Sequence, residues 1–281
     1  SMKTCRTMGA LLCAALLTLS AEDAAAGAWS QPRGHLYAKL SGISYSSDEI
    51  FDAMGERAAM GIDEDRFDAN QTFLYLEYGL LDRLTLVAKT SAGRLVAENH
   101  LVEMTTRGIG DADLGLKYQL VDKPLVLASS ISLKLPTGYH KEYDPALGTG
   151  EIDLEFRLLA ARSLYPLPLY VGAETGYRLR GGLFSNQVPY LFEAGASPHQ
   201  RLFIKGYVDG VETLSKKREN AGLVGLAQVS EGDLTKMGLN AAFKIAGSLW
   251  IDLLWERTVT GENVGAGSSV GVGLAYAYAK D

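Results

Sequence analysis

The chain has 281 residues with 27 basic and 33 acidic side chains, a net charge of −6 and a mean hydropathy of +0.02. That balance excludes a nucleic-acid binder, which needs a basic patch, and a bundle of apolar spanning helices. Glycine (31) and tyrosine (14) are plentiful, proline (8) is scarce and no linker divides the chain, so one domain rich in strands and tight turns is expected.

The beginning of the chain has a different composition. Met2, Lys3 and Arg6 open a short basic region, Ala10 to Leu19 form an apolar run, and small residues follow from Ala24 to Ala28. Charge, apolar core and small-residue end make the pattern of a secretory signal peptide. The run is shorter than the ~20 residues of a spanning helix. The expectation is therefore a leader over 1–28, cut after Ala26 or Ala28, and a single domain over 29–281. Cys5 and Cys13 both fall in the leader, so the remainder has no disulfide, no thiolate chemistry and no cysteine metal site.

A first strand is expected near Gly34–Ser46, with Leu36, Ala38, Leu40 and Ile43 as its apolar positions. A long acidic segment, 47–70, reads as a solvated loop. Its Asp63, Asp65, Asp68 and Asn70 are oxygen donors of the kind hard cations take, but the glycine and distal Glu of a calcium loop are missing. Phe51, Met54, Met60 and Phe67 suggest a short helix or plug over a mouth. The second strand, Gln71–Leu80, sets Thr72, Leu74, Leu76 and Tyr78 against Phe73, Tyr75 and Glu77. The third, Leu84–Leu95, leads through a polar connection, 98–107, to a hairpin over 108–138. In that hairpin Leu114, Leu116 and Tyr118 face away from Asp111, Asp113 and Lys117, and Ile131, Leu133 and Leu135 face away from Ser132 and Lys134. Side chains alternate along a strand, so each strand has an oily and a wet face. These strands run to roughly ten residues or more, the length a tilted strand needs to cross a bilayer. Soluble strands average about 5–6 residues.

The pattern continues through 151–164, Leu169–Arg180, Val188–Ala196 and Leu202–Thr213, then Leu234–Ile245, Leu249–Thr258 and Val270–Tyr278. Short turns at 81–83, 122–124, 165–168 and 197–200 alternate with longer connections at 47–70, 98–107, 139–150 and 181–186. That is the layout of an outer-membrane barrel with short periplasmic turns. Taking 214–233 as one outer loop, the fold class is all-β: a transmembrane up-and-down antiparallel barrel of about twelve strands, or about fourteen if that segment adds a hairpin.

GIGDADLGLKYQLV, SISLKLPTG, LGTGEIDLEFRLLAARSLYPLPLYVGAETGYR and LLWERTVTGENVGAGSSVGVGLAYAY resemble the MetA-pathway of phenol degradation family of bacterial outer-membrane proteins. The resemblance runs from the third strand onward and rests on structural motifs. It implies a membrane barrel and uptake of hydrophobic or aromatic compounds, and it carries no catalytic residue.

The candidate site is the charge opposite the apolar stripe: Glu77, Lys89, Asp111, Asp113, Lys117, Lys134, Asp153, Glu155, Arg157, Glu174, Arg178, Arg180, Lys205, Asp209, Asp252 and Glu256. An Arg or Lys facing lipid at midplane costs about 2–4 kcal/mol, so this side is expected to face the lumen. The set lines a path for solute, or it fills a narrow barrel with paired charges. The function expected is a channel or transporter for small hydrophobic or aromatic solutes; the alternative is a structural or surface-interaction barrel with a plugged lumen. A lipid-modifying enzyme fits less well: His35, His100, His140 and His199 pair with no serine by motif. No catalytic residue, metal or cofactor is assigned. Expected partners are outer-membrane lipid and lipopolysaccharide of a Gram-negative cell and a small solute, with no nucleic acid, and the barrel is expected as a monomer.

Overall fold

The computed structural model describes residues 27–60, 65–99, 101–140, 142–215 and 232–279. Its strands in chain order are β1 (Leu36–Ser47), β2 (Glu49–Phe51), β3 (Arg57–Ala59), β4 (Arg66–Leu81), β5 (Leu84–Glu98), β6 (Glu103–Val121), β7 (Val126–Leu135), β8 (Asp153–Ser163), β9 (Leu169–Leu179), β10 (Gln187–His199), β11 (Leu202–Thr213), β12 (Leu234–Ala246), β13 (Leu249–Gly261), β14 (Val264–Gly265) and β15 (Ser268–Tyr278). All but β2, β3 and β14 close into one antiparallel barrel, a twelve-stranded ring in which each strand pairs with its neighbours in the chain. β1 seals the ring against β15, from Leu36 opposite Tyr278 to Ser46 opposite Ser268. Closure leaves no open edge, which is how a sheet satisfies its backbone polar groups inside lipid.

Register turns the period-two pattern into bands. Leu114 lies opposite Leu133, Leu133 opposite Leu154 and Leu154 opposite Leu179. The next row runs Leu116, Ile131, Phe156, Tyr177. These residues face outward; Leu114 is 51% exposed and Phe156 44%. In water such a belt would be an aggregation site, whereas in a bilayer it meets its own kind of solvent. β7 has 10 residues; at ~3.3 Å per residue and a tilt near 40°, that covers about 25 Å, the height of the apolar band of such barrels.

β4, β5 and β6 are longer, with 16, 15 and 19 residues. They project beyond the belt, and two of the expected loops are corrected there. β4 already begins at Arg66, inside the segment read as loop, and β5 and β6 are joined by residues 99–102 alone rather than by a connection over 98–107. Outside the bilayer the outward face has no lipid to match. It carries ion pairs instead, Arg66–Glu98 at 2.8 Å and Arg94–Glu103 at 3.2 Å, and the apolar stripe that marks a strand in sequence is lost. The rest of 47–70 forms no helix among its described residues. Its β2 and β3 make a small sheet with β14, in which Phe51 is buried and Met54 is exposed. In β1, Ile43 shares a face with Tyr37, Lys39 and Ser41, opposite Leu36, Ala38 and Leu40. β11 pairs directly with β12 and the ring closes with twelve strands, so the alternative of about fourteen is excluded. Residues 216–231 themselves lie outside the described set.

Candidate functional site

The lumen is occupied from both ends. At the end of the short turns, residues 27–35 leave β1 and fold back into the barrel. Gly34 adopts φ +82°, its amide donates to the Gly79 carbonyl at 2.8 Å, and the Gly79 amide donates to the His35 carbonyl at 3.0 Å. A Cβ on Gly79 would sit 1.9 Å from the Pro32 carbonyl oxygen, so only glycine admits this crossing. The segment then follows the wall from β4 to β9. The Gln31 amide donates to Thr85 Oγ1 at 2.8 Å and its side chain to Glu77 Oε2 at 3.0 Å. Ser30 Oγ donates to Gln119 Oε1 at 2.5 Å. Ala28 is buried with Val126, Ala128, Leu159 and Ala161, with Trp29 packed beside them. Lys117 Nζ donates to the Gly27 carbonyl at 3.0 Å.

At the outer end the loop 136–152 turns inward. Leu147 is buried with Phe67, Ala69 and Leu95, with Tyr45, Met60 and Tyr139 against them. Tyr139 Oη donates to Asp111 Oδ1 at 2.5 Å and accepts from the Gly150 amide at 2.7 Å, while Lys134 Nζ donates to Thr149 Oγ1. Burial, and then the hydrogen bond to the Asp111 carboxylate, push the Tyr139 phenol well above its ordinary pKa. Its proton stays in place to donate.

Between these two segments stand the charges. Every residue of the sequence-derived set has an ion-pair partner. Glu77 and Lys117 pair at 2.9 Å, both nearly inaccessible to solvent. Lys134 bridges Asp111 (3.3 Å) and Asp153 (2.7 Å), and Arg180 approaches Asp153 at 3.8 Å. Glu155 takes Arg157 (2.5 Å) and Arg178 (2.6 Å); Arg157 also reaches Glu174 (3.2 Å). Lys89 lies 3.8 Å from Asp113. Register explains the pairs, because Lys134 is directly opposite Asp153, Glu155 opposite Arg178, and Lys89 opposite Asp113. On the other wall the partners are Lys39 for Asp252 (2.6 Å), Glu193 for Lys205 (2.9 Å) and Lys236 for Asp209 and Glu256 (3.7 and 3.3 Å). Lys39, Glu193 and Lys236 were not among the sequence candidates. Strand parity places each on the charged face, and this signal was available.

Inward-facing aromatic residues were missed too. Tyr37, Tyr75, Tyr170, Phe203, Tyr207 and Trp250 border an open space of about 1310 Å³, beside Leu191, Leu254, Ala242 and Ala275. Tyr170 and Phe203 stack with centroids 6.1 Å apart, and Tyr37 meets Tyr75 edge-on at 6.2 Å. The hydroxyls of Tyr75 and Tyr207 are spent on Glu77 (2.5 Å) and Glu256 (2.7 Å), so these side chains offer the space their rings. A second, polar space of about 770 Å³ lies under the outer loop, next to Lys89, Asp113, Glu155 and Arg178. Among the described residues the histidines form no site: His140 packs on Tyr143 at 5.2 Å, and His199 Nδ1 accepts from the Arg201 amide at 3.1 Å. His100, Asp63 and Glu64 lie outside the described residues.

A closed twelve-stranded ring with an apolar belt and a charged interior is the fold of an outer-membrane β-barrel. It is similar to the COG4313 outer membrane channel from Pseudomonas putida F1, with a TM-score of 0.71 at 14% identity over 89% of this chain and 97% of that one. The KdgM porin aligns with a TM-score of 0.53 at 6% identity over 86% of this chain and 99% of that one, and the NanC porin with 0.53 at 8% over 85% and 98%. No family model and no curated protein matches the sequence. The fold that the resemblance to the MetA-pathway of phenol degradation family implies, a membrane barrel, is the fold found.

Proposed function

We propose that the chain is a channel for small, ring-bearing and largely apolar solutes, which pass along the aromatic wall of the lumen. The observation that carries this reading is the division of the interior. The β4–β9 wall is filled by mutually neutralised charges and by residues 27–35, whereas the space of about 1310 Å³ is bordered by six aromatic rings and small aliphatic side chains, with its charges, Lys39–Asp252 and Glu193–Lys205, held in pairs. Rings stack on rings with about 0.5–1.5 kcal/mol beyond simple burial, enough to favour entry and too little to trap a solute. Likeness to proteins described as channels and porins supports the coarse role. The second reading, a barrel filled for stability, draws on the same N-terminal segment and on the inward loop.

Liposome swelling separates the two. Vesicles carrying the refolded protein should admit phenol and benzyl alcohol faster than a pentose of similar size, once leakage through protein-free vesicles is subtracted. Tyr170→Ala with Phe203→Ala should reduce that preference. Absent flux for all three solutes would favour the filled barrel, and equal flux would overturn the preference for ring-bearing solutes.

A further inference from the structure

We infer that the leader is cut between Ala26 and Gly27, and that the ammonium group so created is docked among lumen carboxylates as part of the closure. Small residues stand one and three positions before Gly27, Ala28 and Trp29, and a cut before Ala28 already loses the Gly27 carbonyl that accepts from Lys117. The lumen distinguishes them. A cut after Ala28 would delete the residue that fills the niche of Val126, Ala128, Leu159 and Ala161, and the carbonyl that accepts from Lys117. It would also put a new charge on Trp29, against that apolar cluster, where an ion is costly.

A cut after Ala26 keeps both contacts and puts the charge where carboxylates are. Hydrolysis of the Ala26–Gly27 amide by a signal peptidase consumes one water, leaving a carboxylate on Ala26 and an amine on Gly27 that takes up a proton. Gly27 borders the aromatic space and an adjoining one of about 700 Å³, and Glu174 lines both. A Cβ built on Gly27 would lie 3.3 Å from Glu193 Oε1, and the amino nitrogen is two bonds from that point. Glu193 already pairs with Lys205 and Glu174 with Arg157, so the terminal ammonium becomes a further cation beside these pairs.

Two measurements test this, and neither depends on conduction. Intact mass and amino-terminal sequencing of protein extracted from outer membranes should give a chain starting Gly-Ala-Trp-Ser-Gln; a start at Trp29, or elsewhere, overturns the assignment. Labelling of the Gly27 amine by an amine-reactive reagent, read by peptide mass, should be about tenfold slower in the folded barrel than after denaturation, the factor that ~1.4 kcal/mol of docking supplies. Glu193→Gln should return much of the lost rate. Equal labelling of folded and denatured wild-type protein overturns the docking.

Discussion

Lys117→Met tests whether the interior is a set of mutually dependent ion pairs. Its ammonium and the Glu77 carboxylate sit 2.9 Å apart with side-chain exposures of 4% and 0%. Removing one partner of a buried pair leaves an uncompensated charge and costs ~3–5 kcal/mol. Glu77 would keep the Tyr75 hydroxyl at 2.5 Å and the Gln31 amide at 3.0 Å, which places the expected loss near the lower end, about 3 kcal/mol. Glu77→Gln in the same chain removes the stranded charge. The double variant should therefore recover much of the loss, with a coupling of roughly 2 kcal/mol. Urea unfolding in lipid vesicles, followed by tryptophan fluorescence and by the heat-dependent shift of barrel migration on gels, gives each value. The Lys117 bond to Gly27 is lost in both variants, so that contribution cancels when the two are compared. A single variant that costs under about 1 kcal/mol, with simple additivity in the double, would refute the reasoning.

Three further outcomes follow from the same geometry. Gly79→Ala puts a Cβ 1.9 Å from the Pro32 carbonyl, so residues 27–35 should be expelled and conductance should rise while heat-shifted migration is retained; unchanged conductance would contradict the crossing. Tyr139→Phe deletes the bonds to Asp111 and Gly150 and should weaken docking of the outer loop by about 1–3 kcal/mol, seen as faster proteolysis within 136–152 in intact vesicles. Leu114→Arg, on the apolar belt, should cost about 2–4 kcal/mol in vesicles, and a neutral result would argue that this face does not meet lipid.

Alternation made the ring legible in the sequence. From Gln71 onward the positions that hold leucine in one strand and charge in the next face opposite sides of the wall, as expected. Two places resisted for physical reasons. Near Glu98 and Glu103 the strands leave the bilayer, so the ladder persists without an apolar stripe. Residues 27–35 make no repeating pattern; they are held by individual bonds from Lys117, Glu77 and Gln119, which only register brings together. Leu147 likewise looks like an ordinary loop residue until Phe67 and Leu95 are seen beneath it. The charged candidates were legible as a set but not as pairs. Lys39 and Asp252 come from β1 and β13, which are both neighbours of β15 at the barrel seam.

Single-channel recording in planar bilayers tests the central claim most directly. The claim is that this barrel is a solute channel whose inner mouth is narrowed by residues 27–35. The intact mature chain should show small or infrequent openings, and a chain lacking 27–33 should conduct steadily with a clearly larger unit current. Silence from both chains, with the barrel demonstrably folded, would contradict it.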